Sequence, residues 1–452
     1  MRAHILRSVV ILPVGFVVAA FAVDVCARDW YVNANHTLAS DTGPGTEAQP
    51  FATLTAGVAA AEAGDNVIVK AGRYSDPNAT WYSAFNPARS GAPSAPITIK
   101  SDPPLAAVLV PRDFNASAQS QYPALSIYQR QYIVIDGFKA EGMLKIHHDV
   151  QGASQYVTIQ NCDVVYGSQL GDDASLNWGI AIHVSDNNIV RNNEVRNMRS
   201  SGNNSENTAA FMNFASSYNL IENNDADASN GVVFSAYGQK AGNIHNNTWR
   251  RNIARNAPVG FLGKGGTGGG TYSDNEMFYQ NIIINTERAF HLNHNSRYWR
   301  VYNNTVYNVD LFLNQWQLNS VDNQFWNNIV FDASRGAYQV EDLSGPNWNT
   351  YISLSNYNFW GSLTRSFARW SYGSNSQTLD EWRSATNFEA NSLTGDPLFV
   401  DAAQGNFKLQ AASPARRAAS DGLDMGAYPT GSEVIGVILS PRPHPPGNVT
   451  IE

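Results

Sequence analysis

The repeat that decides the fold begins as Asn193-Glu-Val195-Arg-Asn197 and recurs as Asn252-Ile-Ala254-Arg-Asn256. In each copy an asparagine, here called the anchor, is followed two positions later by a small or branched apolar residue. The other copies are Asn224-Asp-Ala226, Asn281-Ile-Ile283-Ile-Asn285, Asn304-Thr-Val306-Tyr-Asn308 and Asn328-Ile-Val330-Phe-Asp332. Subtracting successive anchor numbers gives steps of 31, 28, 29, 23 and 24 residues, and Cys162-Asp-Val164 takes the same place 31 residues before the first anchor.

Self-similarity at this period is typical of solenoids, propellers and repeat arrays. Between about 178 and 360 each period holds short alternating strands and no helical pattern. These features predict an all-β fold, a right-handed parallel β-helix with one repeat per coil. Asparagine suits the sharp turns of such a coil because it tolerates left-handed backbone geometry, and stacked amides can hydrogen-bond along the axis. Surface-loop asparagines would not recur at a fixed offset from an apolar residue.

The first 27 residues have the features of a signal peptide. Arg2 and Arg7 precede an uncharged apolar run over 9–22, and Val25-Cys26-Ala27 fits a cleavage site. That run is shorter than the ~20 residues of a membrane-spanning helix. We therefore expect a secreted or periplasmic protein with no membrane attachment after cleavage, in which Cys162 is left without a disulfide partner.

The composition predicts one large folded domain over 28–430. Aromatic residues make up 11% of the chain and charged residues 15%, and the net charge of −8 gives no support for a nucleic-acid partner. We expect a monomer. The repeat is lost in an irregular excursion at about 361–391, and the segment 431–452 is a tail rich in proline and glycine.

Both ends of the mature chain carry motifs of a known group. The N-terminal motifs are Trp30-Tyr31-Val32, Asp41-Thr42-Gly43, Pro50-Phe51-Ala52-Thr53-Leu54, Ala63-Gly64-Asp65 and Ala71-Gly72-Arg73-Tyr74. The C-terminal motifs are Gly395-Asp396-Pro397-Leu398-Phe399, Asn406-Phe407-Lys408-Leu409 and Ser413-Pro414-Ala415. In this order they resemble exported right-handed β-helix proteins, among them polysaccharide lyases of the pectate lyase family 9 type. A short amphipathic helix over 50–63 would cap the open N-terminal end of the solenoid.

A strand precedes each anchor, and these strands can be aligned on their second position. We expect that position to form an inward apolar column made of Ile180, Phe211, Val232, Phe261, Phe290 and Phe312. Because side chains alternate along a strand, the third and fifth positions then face outward. The fifth position reads His183, Phe214, Ser235, Lys264, Asn293 and Gln315, and the third contributes His291. This face resembles the substrate groove of β-helix polysaccharide enzymes.

The reaction that suits such a groove is β-elimination on a uronic-acid polymer. It requires a group that neutralises the sugar carboxylate, a base for the C5 proton and an acid for the leaving oxygen. Lys264 is the candidate base, on the expectation that neighbouring cations lower its pKa. His183 or His291 are alternative acids or bases, and Arg297 is a candidate carboxylate ligand. Lys264 also fits an ordinary solvated surface lysine, and His294 fits a turn residue.

Further candidates are substrate contacts on or near the same face. Amide and hydroxyl contacts would come from Ser235, Asn293 and Gln315, and aromatic side chains could stack on sugar rings, namely Tyr237, Tyr298, Trp299 and Trp316. Any one of these aromatic residues could instead simply cover the surface of the solenoid.

Calcium is a candidate cofactor. The lyases that the chain resembles use a lysine base beside an aspartate-rich calcium site, and Asp172-Asp173 is the nearest match, although the further aspartates of that pattern are not evident. With Glu206 these residues would supply the oxygen ligands that calcium prefers. Two adjacent aspartates are equally typical of a turn.

Three functions compete. A polysaccharide lyase that cleaves a uronic-acid polymer comes first. A glycoside hydrolase or a uronate epimerase on the same fold comes second, and a hydrolase would need two carboxylates facing the groove. The third is a non-catalytic glycan-binding or surface protein.

Overall fold

The computed structural model describes residues 27–114, 120–149, 154–166, 168–170, 173–198, 206–228, 231–238, 243–266, 270–316, 319–341, 347–363, 366–370 and 375–437. Apart from Ala27, the predicted signal peptide lies outside these residues. So do Asp172 and most of the predicted tail. Among the described residues, no helix is both long and apolar enough to cross a bilayer.

The chain is a right-handed parallel β-helix, as the repeat predicts. Each complete coil contributes to three parallel sheets that surround one apolar core. The first sheet contains Asp29–Val32, Asn66–Tyr74, Ile97–Leu109, Ile133–Asp136, Thr158–Gln160, Ile189–Arg191, Leu220–Glu222, Thr248–Arg250, Met277–Tyr279, Arg300–Tyr302, Asn323–Trp326 and Ile352–Asn356. The second sheet contains Lys139–Ala140, Asp163–Val165, Glu194–Arg196, Asp225–Asp227, Phe359–Leu363 and Leu393–Thr394. The third contains Leu125–Tyr128, Leu144–His147, Asp173–His183, Ala209–Phe214, Val232–Tyr237 and Ala368–Trp370.

Four long strands bend from the second sheet into the third, and shorter elements complete the molecule. The long strands are Ile253–Lys264, Ile282–Asn293, Thr305–Gln315 and Ile329–Val340. Three further strands pair in parallel with one another and form the small sheet, namely Ile244–His245, Ser273–Asp274 and Ser296–Arg297. The short strands that pair antiparallel are Ser168–Leu170, Asn375–Gln377, Phe399–Asp401 and Asn406–Leu409. The helices are Leu54–Ala60, Trp348–Tyr351, Leu379–Thr386 and the 3₁₀ turn Ala402–Gln404.

Anchor asparagines form a buried amide ladder along the solenoid. Six Nδ2-to-Oδ1 hydrogen bonds join Asn193, Asn224, Asn252, Asn281, Asn304, Asn328 and Asn358, each 3.0–3.1 Å long. Each Oδ1 also accepts from the backbone N–H of the preceding anchor, at 3.0 Å for Asn224 and Asn252. The predicted stacking of the anchors along one edge is therefore confirmed. The left-handed turn residue is not the anchor but the residue before it, as at Asn192 (φ 55°) and Arg251 (φ 56°).

A second ladder runs along the edge before the first sheet and ends on a buried carboxyl. The backbone N–H groups of Asn188 and Asn219 donate at 2.8 Å to the amide oxygens of Asn219 and Asn247. Glu276 stands at the next position and accepts from Asn247 Nδ2 at 2.9 Å and from Trp249 Nε1 at 2.7 Å. Burial raises the pKa of Glu276 to about 7 against these hydrogen bonds.

Apolar side chains stack through the core in register with the ladders. In the third sheet the column is Ile180, Phe211, Phe234, Phe261 and Phe290. The prediction that Val232 belongs to this column is wrong, since Phe234 takes that place. Val232 instead packs on the outer face in an apolar cluster with Val259, Met212 and Leu262. Because both faces of this strand are apolar, alternation could not decide which residue points inward.

Both ends of the core are covered by helical segments. At the N-terminal end, helix Leu54–Ala60 buries Leu54 and Val58, and the Thr53 hydroxyl caps it by accepting from the Ala56 N–H. At the other end, Trp382 of helix Leu379–Thr386 stacks on Tyr338 at 5.0 Å between ring centroids. The predicted excursion at 361–391 thus contains a helix that packs against the core.

Removing one rung of the anchor ladder should destabilise the whole solenoid. Asn252→Ala leaves the Ile221 carbonyl and the Asn224 N–H buried without their partners, which should cost roughly 2–4 kcal/mol. Asn285→Gly is the matched control, because Asn285 belongs to an exposed amide pair with Asn256 and glycine accepts its positive φ. Denaturant midpoints of both variants check this, and equal losses would show that burial of the ladder contributes nothing.

The carboxyl of Glu276 should make stability depend on pH. Its pKa rises from 4.5 to about 7 on folding, so the folded state keeps a proton that the unfolded state loses. Relative to Glu276→Gln, the unfolding free energy of the wild type should therefore fall by roughly 3 kcal/mol as pH rises through this interval, and stay level outside it. Denaturant titrations across pH test this through the difference between the two proteins, and a difference that does not change with pH would contradict it.

Candidate active site

The outer face of the third sheet carries two outward columns of side chains, fixed by strand pairing. The Lys264 column consists of Tyr128, His147, His183, Phe214, Tyr237, Lys264 and Asn293. The His291 column consists of Ser126, Lys145, Ala181, Met212, Ser235, Leu262, His291, Asn314 and Gln339. Polar residues concentrate near the two ends, and the apolar residues around Met212 and Phe214 separate them.

One end is the Glu206 cluster, which consists of Glu206, Lys264, His291 and Asn293. Glu206 lies in the turn before strand Ala209–Phe214, and its Oε2 is 2.8 Å from Lys264 Nζ. Its Oε1 is 3.3 Å from His291 Nε2. Asn293 Nδ2 donates to both carboxylate oxygens at 3.1 Å. Three side chains from two adjacent strands therefore enclose one carboxylate.

The charges in this cluster stabilise each other. Burial alone would raise the pKa of Glu206, but hydrogen bonds from His291 and Lys264 and their charges lower it to about 2. Burial would lower the pKa of Lys264, yet the hydrogen bond and charge of Glu206 raise it. The expectation that neighbours lower the pKa of Lys264 is therefore wrong for this state of the protein. A lysine held as a cation suits binding of an anion better than removal of a proton.

The other end is the histidine cluster, which consists of Tyr128, Lys145, His147, Asp149 and His183. The His147 ring lies 4.6 Å from that of His183 and 5.6 Å from that of Tyr128. The Tyr128 hydroxyl donates to Asp149. Neither ring nitrogen of His147 has a hydrogen-bond partner among the described residues, and the same is true of Nδ1 of His183. His147 Nε2 is 3.4 Å from Asp149 Oδ1 without forming a hydrogen bond.

Burial lowers the pKa of each base in the histidine cluster. It lowers the pKa of His147 to about 3, aided by the charges of Lys145 and His148. The pKa of His183 is lowered well below its ordinary value by burial and by Lys145 and His147. The pKa of Lys145 is also far below its ordinary range because the side chain is fully buried. Its Nζ lies 3.4 Å from the ring centroid of Trp81. Both imidazoles are therefore unprotonated near neutral pH and have a free lone pair, but their pKa values must rise before either can act as an effective base there.

The structure separates several residues that the sequence places together. His183 lies three strands from Lys264, with Phe214 and Tyr237 between them. His183 is therefore too far from Lys264 to act with it on one bond, whereas His291 and Asn293 lie beside Lys264. Tyr237, not Ser235, pairs with Lys264, because Ser235 pairs with Leu262. The same register error that exchanged Val232 and Phe234 causes this difference.

Gln315 and Trp299 do not reach the groove. Gln315 pairs with Leu292, is buried and donates to the Ser320 carbonyl, while Asn314 takes the place beside His291. Trp299 is fully buried and stacks on Phe278 at 4.4 Å, over Gly263, where a Cβ would lie 2.1 Å from its ring. Both predictions of substrate contact are wrong. For Gln315, the apolar run Leu311-Phe312-Leu313 hides which residues face inward. Trp299 is buried because it fills the space that Gly263 leaves free.

Arg297 lies in the small sheet that follows the third sheet. Its guanidinium pairs with Asp274 at 2.7 Å and covers the Tyr272 ring at 3.5 Å. Asp274 lies on the neighbouring strand of the same small sheet, and Tyr272 directly precedes that strand. The described contacts of Arg297 therefore do not connect it with Glu206 or Lys264. Tyr298 follows it and is exposed, as is Trp316, whose ring lies 6.5 Å from His291. His294 lies in the turn between strands Ile282–Asn293 and Ser296–Arg297, with φ 43°.

The described residues around Glu206 do not fit a calcium ion. Its two oxygens face an ammonium, an imidazole and an amide N–H, none of which supplies the oxygen ligands that calcium prefers. No group of three acidic, histidine or cysteine side chains among the described residues could hold a metal. Asp172 is outside them. Asp173 begins strand Asp173–His183, and its side chain is not described. Calcium binding at 172–173 stays a prediction.

Sequence reasoning missed Lys145, His147 and Asn314. The strand Leu144-Lys145-Ile146-His147 alternates apolar and polar residues, which is a visible sign of an outward polar pair. This strand precedes the first repeat copy that the prediction uses, which begins at Gly179. Asn314 is missed because the predicted register of its strand is off by one residue.

No family model matches the chain, and no curated protein matches it. Similarity is found among solved structures. The GH136 lacto-N-biosidase from Eubacterium ramulus is 11% identical, with 81% of this chain and 68% of that chain covered and a TM-score of 0.51. Pectate lyase Pel9A is 15% identical, with 88% and 96% covered and a TM-score of 0.50. At these identities the likeness establishes the fold, which this chain shares with enzymes that act on carbohydrates.

Proposed function

We propose that the protein is a polysaccharide lyase that cleaves a uronic-acid polymer by β-elimination on the outer face of the third sheet. The observation that carries this proposal is the histidine cluster. It joins two neutral imidazoles with unpaired nitrogens to a buried lysine and a tyrosine hydroxyl. Buried polar groups are normally hydrogen-bonded, so three unpaired imidazole nitrogens in one cluster indicate a binding or catalytic role.

β-Elimination divides naturally among these side chains. His183, which is partly exposed, is the base that takes the C5 proton, while the C4–oxygen bond breaks and a C4–C5 double bond forms. Tyr128 is the acid that protonates the leaving oxygen, because its hydrogen bond to Asp149 and its burial raise its pKa and keep it protonated. The bound sugar carboxylate would raise the pKa values of both His183 and Lys145, since a nearby anion stabilises the protonated form of a base.

Two further features of the face support an acidic sugar chain. Lys264 supplies a cationic group in the same column as His183. Exposed Tyr82 and Trp316 lie beside the two polar clusters, at ring distances of 5.2 Å from His147 and 6.5 Å from His291, where aromatic rings can stack on sugars. One of the similar structures is a pectate lyase. Action on an extracellular polymer also agrees with export by the leader predicted at 1–27.

A uronate epimerase is the second candidate, because it also begins by removing the C5 proton. Hydrolysis is less well supported. It needs two carboxylates that flank one bond, whereas Asp149 contacts His147 and Glu206 contacts Lys264, on strands four steps or roughly 19 Å apart.

The proposal predicts an unsaturated product from at least one uronic-acid polymer. The mature protein is incubated with polygalacturonate, alginate, glucuronoxylan and hyaluronate, and with a neutral galactan as control. Each incubation is run with calcium and with a chelator. Ultraviolet absorbance of a new C4–C5 double bond is the expected result. New reducing ends without absorbance would mark a hydrolase, changed sugar configuration without cleavage an epimerase, and no reaction at all would contradict an enzymatic role.

Replacing the proposed base should abolish most of the reaction. His183→Ala should lower kcat by at least ~100-fold, the usual scale for losing a general base. His245→Ala is the matched control, because His245 lies in the small sheet and packs edge-on against Tyr218. Thermal melting should show both variants folded. Turnover of folded His183→Ala within a factor of a few of the wild type would remove His183 from the mechanism.

A further inference from the structure

We infer that Lys264, Asn293 and His291 form a subsite for the carboxylate of a uronate residue, and that Glu206 occupies this subsite in the free protein. This inference rests on the proposed function, because it assigns the sugar class and the place where one acidic sugar of the chain binds. The carboxylate of Glu206 and that of the sugar would compete for the same donors.

The geometry is that of a bound carboxylate. Glu206 comes from a turn before strand Ala209–Phe214, whereas its partners lie at the ends of strands Ile253–Lys264 and Ile282–Asn293. One oxygen faces the ammonium at 2.8 Å, the other faces the imidazole at 3.3 Å, and the amide contacts both at 3.1 Å. Charged and amide donors arranged around both oxygens are what carboxylate recognition requires.

Two observations beside this ion pair point to a sugar. The Trp316 ring, 45% exposed, lies 6.5 Å from the His291 ring and 6.4 Å from the His294 ring. It therefore offers a stacking surface next to the carboxylate site. Asn293 is completely buried, yet its Oδ1 has no hydrogen-bond partner among the described residues. A sugar hydroxyl at this position could donate to it.

The carboxylate subsite and the proposed reaction centre lie on the same column of side chains, the Lys264 column. Lys264 and His183 are three strand spacings apart, roughly 14 Å. A chain that follows the outer face can therefore place one acidic sugar at His183 and another at Lys264. The Glu206 subsite would then contribute to affinity for the polymer and not to the bond-breaking step.

The test measures binding of D-galacturonate, with neutral D-galactose as the matched sugar, by calorimetry without any turnover. Glu206→Ala should bind galacturonate at least ~10-fold more tightly than the wild type, and galactose equally in both. Adding Lys264→Ala to this variant should remove the gain. Glu222→Ala is the matched control, because it deletes a carboxylate that pairs with Arg250 at 2.6 Å on the first sheet.

The binding results test the subsite independently of whether the protein is a lyase. A folded Glu206→Ala protein that binds galacturonate no better than the wild type would overturn the inference, even if the wild type proved to be a lyase. An equal gain in Glu222→Ala would also overturn it, since net charge alone would then explain the effect. If Glu206→Ala does not fold, Glu206→Gln takes its place, because the amide keeps the shape and removes the charge. A gain for galacturonate over galactose supports the subsite whether or not the polymer panel shows cleavage.

Discussion

The hydrogen bond between the side-chain amides of neighbouring anchors is the interaction on which the rest of the molecule depends. An asparagine can donate through Nδ2 and accept through Oδ1 at the same time, so one residue type can satisfy itself indefinitely along an axis. The ladder from Asn193 to Asn358 does this in the dry interior, and each amide oxygen also holds the backbone of the coil before it. Where a chain of donors ends, a carboxyl accepts the last one, as Glu276 and Glu389 do.

Fixed register between coils determines which side chains meet on the outside. Coil lengths between anchors vary from 23 to 31 residues, yet the strands remain paired residue by residue because the variation falls into the connections. Lys264 lies beside Asn293, and His147 beside His183, for this reason alone. The outer face therefore offers a row of chemical groups at regular spacing, and a linear polymer is the ligand whose own repeat can match such a row.

The fold could be predicted from the sequence because its signal is repeated many times and refers to the interior. Any single copy of the anchor pattern is a weak signal of the fold. A buried ladder tolerates few substitutions, so the copies remain recognisable along the sequence. The outer face has no such redundancy. Val232, Val233 and Phe234 are all apolar, and part of the outer face is itself an apolar cluster. The alternation that assigns inward and outward positions is therefore lost where the site begins. The prediction is two residues out of register at Ser235, which lies in the His291 column, and one residue out of register at Gln315, which is buried. The partner of Lys264 could not be foreseen either, because Glu206 reaches it from 58 residues upstream through a turn that belongs to no repeat.

Whether an acidic polysaccharide binds along the outer face of the third sheet can be seen in a crystal structure with a bound uronic-acid oligosaccharide. We predict sugar density that follows the Lys264 column, with one sugar at His183 and a sugar carboxylate at Lys264 and Asn293. Density on the first or second sheet, or across the ends of the solenoid, would show that the polymer binds elsewhere and that this face is not the site.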